Sequence, residues 1–131
     1  MRFAGYAAIF DVPDRGGDII RKGAFASAQA GVPLYWQHDP ARRAGVIEAL
    51  SEDSRGLRVT ARLDPPGPVQ AGHGLSFGYR VRHANKGTFR ELMALDLIEV
   101  SLVSHPMQPH ARVLAVDPHP DAEPEAGRQD A

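Results

Sequence analysis

Leu75-Ser76-Phe77-Gly78-Tyr79-Arg80-Val81-Arg82 alternates with a period of two. Leu75, Phe77, Tyr79 and Val81 fall on one face; Ser76, Gly78, Arg80 and Arg82 fall on the other. Such a stretch reads as a strand with its apolar face turned to a core. Ser76 starts the polar face, and Gly74 and Gly78 lack the β-carbon that would keep neighbouring groups away. This spacing leaves two readings of Ser76. It is a solvent-facing serine on an ordinary strand, or a nucleophile with glycines clearing space around its hydroxyl, if a base and an orienting group reach it.

The same reading extends outward. Leu57, Val59, Ala61 and Leu63 alternate with Arg58, Thr60 and Arg62, so residues 56–63 form a strand. With residues 45–50 they make a hairpin joined at Ser51-Glu52-Asp53-Ser54-Arg55. Phe3 to Phe10 reads as a first strand, followed by turn chemistry from Asp11 to Asp18 and a short extended piece at Ile19-Ile20-Arg21. Ala24 to Ala30 is alanine-rich and stops at Gly31, which predicts a helix of about two turns anchored by Phe25. Val32 to His38 is a strand, with Pro33 at an edge or a strand start, and Asp39-Pro40-Ala41-Arg42-Arg43 turns the chain.

Asp64-Pro65-Pro66-Gly67-Pro68 is irregular, with at most a turn at Val69-Gln70-Ala71. After the serine strand come a turn at Asn85-Lys86-Gly87, a return from Thr88 to Met93, the apolar run Ala94 to Val103, and a last strand from Ala111 to Val116. Many short strands, Gly/Pro punctuation and little helix predict a mainly β protein: a closed or nearly closed antiparallel β-barrel with few short helices.

A chain of 131 residues accommodates one small domain, placed here at 1–116. The stretch 117–131 carries Asp117, Asp121, Glu123, Glu125 and Asp130 against Arg128 alone and is rich in proline, which predicts a disordered acidic tail. Net charge is −1, so the body before that tail is mildly basic, without the clustered stripe that nucleic-acid binding needs. No apolar run reaches the roughly 20 residues of a membrane helix, and the N-terminus lacks the apolar segment of a signal peptide. With no cysteine, thiolate zinc sites and disulfides are excluded, and an intracellular, reducing setting is the expectation. The six histidines include no H-E-x-x-H pair; a metal site drawn from His38, His73, His83 or His105 is the weakest of the readings, and no cofactor is expected.

Two residues qualify as partners for Ser76. His38 ends Pro33-Leu34-Tyr35-Trp36-Gln37-His38, and an imidazole is the usual general base near neutral pH. Its plainer role is a strand-end histidine bonded to water. Glu99 sits in Leu95-Asp96-Leu97-Ile98-Glu99-Val100-Ser101-Leu102-Val103, where an unpartnered carboxylate is costly to bury. It is an outward edge residue, a partner for Arg80 or Arg82, or the group that orients His38.

Several blocks resemble the phage prohead proteases of the HK97 type. They are Gly5-Tyr6-Ala7 with Phe10, then Asp18, Gly23-Ala24-Phe25, Leu34-Tyr35-Trp36-Gln37-His38-Asp39 and Gly56-Leu57. Gly74-Leu75-Ser76-Phe77-Gly78-Tyr79 and Leu97-Ile98-Glu99-Val100-Ser101-Leu102-Val103 complete the set, in order. That family is distantly similar to the herpesvirus assemblins, which have a second histidine where this chain has Glu99. The resemblance implies a serine endopeptidase with Ser76 as nucleophile, His38 as general base and Glu99 as orienting residue, His105 being the other candidate for the third place. It implies a herpesvirus-protease-like barrel flanked by helices, and a homodimer, the state common in the herpesvirus branch. It also implies cleavage of scaffold, of the N-terminal extension of the major capsid protein, and of the protease itself, in the cytoplasm within the assembling procapsid. The family's helix before the G-L-S block is missing here, where Asp64 to His73 is short and proline-rich. The alternative that follows is an inactive capsid-assembly component on the same fold. For an oxyanion hole, backbone N–H groups are expected, with Arg80 or Arg112 as side-chain candidates.

Overall fold

The computed structural model describes residues 1–64 and 67–117, so the acidic tail from 118 onward lies outside the described residues. The strands are β1 (Arg2–Ile9), β2 (Asp18–Ile20), β3 (Pro33–Trp36), β4 (Asp39–Glu52), β5 (Gly56–Leu63), β6 (Gly74–Asn85), β7 (Arg90–Val103) and β8 (Val113–Asp117). Their order in the sheet is β2-β7-β3-β4-β5-β1-β8, with β6 paired to β7. The inward positions of β5 are those its alternation indicates: Leu57, Val59 and Ala61 are fully buried and Leu63 nearly so. With Phe3, Leu34, Ile47, Leu75 and Leu102 they form one apolar core.

The 14-residue β7 organises the rest. One edge takes β6 antiparallel along most of its length. The other takes β2 at residues 90–92 and β3 at residues 100–102, both parallel. The expectation of an all-antiparallel sheet is therefore corrected: β2 and β3 reach β7 by crossovers, which permit parallel pairing.

The ladders do not close into a barrel. Strand β6, which branches from β7, comes back to the segment leading into β8, at one end of the path, through one isolated bridge, Gly74 to Arg112. Hydrogen bonds of 2.8 Å from Leu75 N to Ala111 O and from Val113 N to His73 O reinforce it. The last strand begins at Val113 rather than Ala111 and includes Asp117, one residue past the expected domain limit.

No helix occurs among the described residues, and the two-turn helix expected at 24–30 is absent. In its place successive turns carry bonds from Ala24, Ala26 and Ala28 N–H to carbonyls three residues back. The physical reason lies in another strand. The Ala24 carbonyl, which an α-helix would bond to the Ala28 N–H, instead accepts from Leu95 N on β7 at 2.9 Å, while the Glu52 carboxylate at the end of β4 holds Gly23 N at 2.8 Å and Phe25 N at 2.9 Å. Phe25 is the anchor expected of it, 3% exposed and edge-on to Phe77.

The strand expected to run to His38 stops at Trp36. Gln37 and His38 both have positive φ, 52° and 61°, and Trp36 pairs with Asp39. Two left-handed residues between paired strands form a type I′ hairpin turn. The turn expected at 39–43 is instead the start of β4, where the register slips between the Trp36–Asp39 and Tyr35–Arg43 pairs.

Candidate active site

Ser76 and Ser101 are cross-strand partners in the β6–β7 ladder, and Gly78 lies across from Glu99. Residues two apart on a strand share a face, so Ser76, Gly78, Glu99 and Ser101 occupy one small patch of the sheet. The β3–β4 turn brings His38 to that patch. Its Nδ1 is 2.8 Å from Glu99 Oε2, and its backbone N–H donates to Ser101 Oγ at 3.1 Å. Ser101 Oγ in turn donates to Glu99 Oε1 at 2.6 Å. The Gln37–His38 turn and the consecutive strands β6 and β7, far from it in sequence, thus converge, each side chain held by a backbone that other parts of the sheet fix.

The carboxylate is 7% exposed, so its partners matter. Both oxygens are engaged, one by the imidazole and one by the Ser101 hydroxyl. Of the readings open for Glu99, the outward edge residue and the arginine partner are set aside. Arg80 and Arg82 lie 4.0 and 3.7 Å from Asp96 instead. A carboxylate only accepts, so the neutral His38 ring presents Nδ1–H to it and keeps its lone pair on Nε2. The His38 side chain is 42% exposed, leaving that second nitrogen accessible.

Ser76 is 6% exposed, not the solvent-facing serine of the plainer reading. Its hydroxyl makes no hydrogen bond with a described residue, so Ser76 and His38 share the patch without being bonded to each other. The flanking glycines make room for groups other than the hydroxyl. A β-carbon on Gly78 would stand 2.1 Å from Glu99 Oε2, and one on Gly74 would stand 2.7 Å from Val103 O and 2.8 Å from Pro106 Cδ. Glu99 lies flat across Gly78.

The other candidates fall elsewhere. His105 is an exposed residue beyond the end of β7. Arg80 has a side chain 75% exposed, and Arg112 is committed to the carbonyls of Pro109 and Gly72. His73 stands beside Trp36, 6.1 Å between ring centroids, and burial pushes its pKa down. Among the described residues no three metal-ligating side chains cluster. Ser101 was not singled out from the sequence. The only cue is the Glu99-x-Ser101 spacing, which puts both on one strand face.

A hydroxyl, an imidazole and a carboxylate gathered on one sheet face are the side-chain set of the serine hydrolases. Sequence comparison narrows this: residues 1–122 match the model of the caudovirus prohead serine proteases, and the chain belongs to that family. It is 38% identical over 68 residues to the prohead protease of Enterobacteria phage HK97, an alignment covering 48% of this chain and 30% of that protein. Among solved structures it resembles a KSHV protease in complex with a hexapeptide phosphonate inhibitor, with a TM-score of 0.62 and 13% identity. That superposition covers 88% of this chain and 64% of the KSHV chain, and it bears out the herpesvirus-protease-like fold. No helix among the described residues is long and apolar enough to cross a membrane.

Proposed function

We propose that the chain is the serine endopeptidase of a capsid-maturation system, with Ser76 as nucleophile, His38 as general base and Glu99 as the residue that orients His38. The carrying observation is the 2.8 Å contact between Glu99 Oε2 and His38 Nδ1 on the face that holds Ser76. It leaves Nε2 free to take the Ser76 proton as Oγ attacks the scissile carbonyl. The imidazolium that forms is then paired with Glu99 and returns its proton to the leaving amine. Water releases the acyl group by the same two proton transfers in reverse roles. Contact between Ser76 and His38 is completed when substrate binds, as catalytic hydrogen bonds commonly are.

The substrates we assign are scaffold and the N-terminal extension of the major capsid protein, with self-cleavage, inside the assembling procapsid. Family membership and the name of the HK97 relative support this. Co-expression with the major capsid protein tests it. Processing is expected with the wild-type chain and is lost in Ser76→Ala and His38→Ala, both still folded by circular dichroism. Continued processing in Ser76→Ala sinks the assignment.

The unbonded Ser76 hydroxyl supports a second reading, an assembly component without turnover. A fluorophosphonate probe separates the two. Labelling at Ser76 is expected; an unlabelled chain that still co-purifies with capsid protein decides for the second reading.

A further inference from the structure

We propose that Ser101 is a positioning residue of this site, its single hydroxyl fixing both the Glu99 carboxylate and the His38 turn. The proposal rests on the reading of Ser76, His38 and Glu99 as the reacting set. Ser101 is fully buried, lies opposite Ser76, and touches both other members at once. A hydroxyl has one proton to give and lone pairs to accept with. The proton goes to Glu99 Oε1 at 2.6 Å, and a lone pair receives the His38 N–H at 3.1 Å. One oxygen therefore sets the carboxylate's rotation and the height of the turn that carries the imidazole.

That turn needs holding. Two consecutive non-glycine residues with positive φ are each strained by about 1–2 kcal/mol. Gln37 is secured independently, by its N–H on Leu102 O at 2.9 Å and by its amide on Ser104. The His38 N–H has Ser101. Without the hydroxyl, the backbone of the turn stays anchored through Gln37, while the ring and the carboxylate lose their common reference. The effect belongs on the geometry of the His38–Glu99 pair more than on the fold.

The test is to compare Ser101→Ala with wild type by NMR on histidine-labelled protein, alongside steady-state cleavage of a capsid-derived peptide. In wild type the His38 Nδ1–H is expected as a slowly exchanging proton far downfield, assigned by its loss in His38→Gln. In Ser101→Ala that resonance is lost or the ring nitrogens show mixed tautomers, and kcat falls about 10–100-fold with KM nearly unchanged. Ser101→Thr, which restores the hydroxyl, recovers the resonance. If Ser101→Ala does not fold, Ser101→Cys, a near-isostere with a weak donor, shows the same loss. A wild-type His38 resonance and unchanged kcat in folded Ser101→Ala or Ser101→Cys overturn the proposal and leave the peptidase assignment standing. A wild-type chain that neither cleaves nor takes the probe overturns that assignment, while the resonance still reports on Ser101.

Discussion

A carboxylate inside an apolar strand is costly unless its oxygens are satisfied, and Glu99 satisfies both while lying across a glycine. The two glycines that flank Ser76 consequently meet different obstacles on substitution. At Gly78 the obstacle to a β-carbon is the Glu99 side chain, its Oε2 at 2.1 Å and Cδ at 2.9 Å. A side chain moves more easily than backbone, so Gly78→Ala displaces Glu99 from His38, and its stability cost is that of the hydrogen bond the buried carboxylate gives up. The expected outcome is a melting temperature lowered by about 5–10 °C and a fall in kcat/KM of about 100-fold or more, approaching that of Glu99→Gln. A fully active Gly78→Ala would show that the position of Glu99 over β6 is irrelevant to turnover. Of this arrangement the sequence displayed the parts and concealed the joints. Ser76 and Gly78 stand out because they are the small residues on the polar face of a regular alternation. Ser101 does not, since a serine in an apolar run resembles filler and its meaning depends on His38, 63 residues away.

At the level of elements, what can be read from the chain is what nearest neighbours along it decide. The alternations of β5 and β6, the 51–55 hairpin and the start of β3 at Pro33 follow from local pattern. The helix expected at 24–30 fails because Leu95, on β7, takes the Ala24 carbonyl that its first turn would use, which propensity cannot register. The Gln37–His38 turn is hidden because neither residue is a glycine, the usual marker of positive φ. The hairpin between β4 and β5 also carries a testable charge contact. Tyr6 on β1 donates its hydroxyl to Asp53 in the hairpin turn. That bond, with the N–H groups of Arg55 and Gly56, holds the Asp53 carboxyl below the usual carboxylate range, and the same bond raises the Tyr6 phenol. A depressed carboxyl contributes stability above its unfolded value of about 4, lost as pH falls through the folded value. A raised phenol contributes stability below about pH 10, lost as pH rises through its own folded value. Tyr6→Phe is therefore expected to cost about 1 kcal/mol at pH 7 and to flatten both limbs of the stability–pH curve. Urea titrations from pH 2 to 11 measure it; curves parallel to wild type at both ends would show that the bond does not couple to titration.

On the scale of the whole molecule, the site exists because β7 has two occupied edges. β6 brings Ser76 to one edge, and β3, through its turn, brings His38 past the other. Parallel pairing of β3 with β7 is a long-range choice that no local pattern announces, so the convergence was expected from family resemblance and not from periodicity. On its far side β6 is held near its start by segment 111–113, which also binds β1 through Tyr6 N to Arg112 O at 3.2 Å. Gly74 sits at this seam, and there the obstacle to a β-carbon is the Val103 carbonyl and the Pro106 ring, neither of which can swing aside. Gly74→Ala must spread β6 from the end of β7 or from the 111–113 segment, an overpacking cost of about 1–3 kcal/mol. The expected outcome is a fall in melting temperature on the order of 5–10 °C, with loss of Ser76 labelling by the phosphonate probe as the start of β6 shifts. Gly87→Ala, where the nearest atom is 3.4 Å away in the β6–β7 connection, is the control and should leave both unchanged. If Gly74→Ala melts and labels like Gly87→Ala, the seam is slack, and β7 alone fixes the strand that carries the nucleophile.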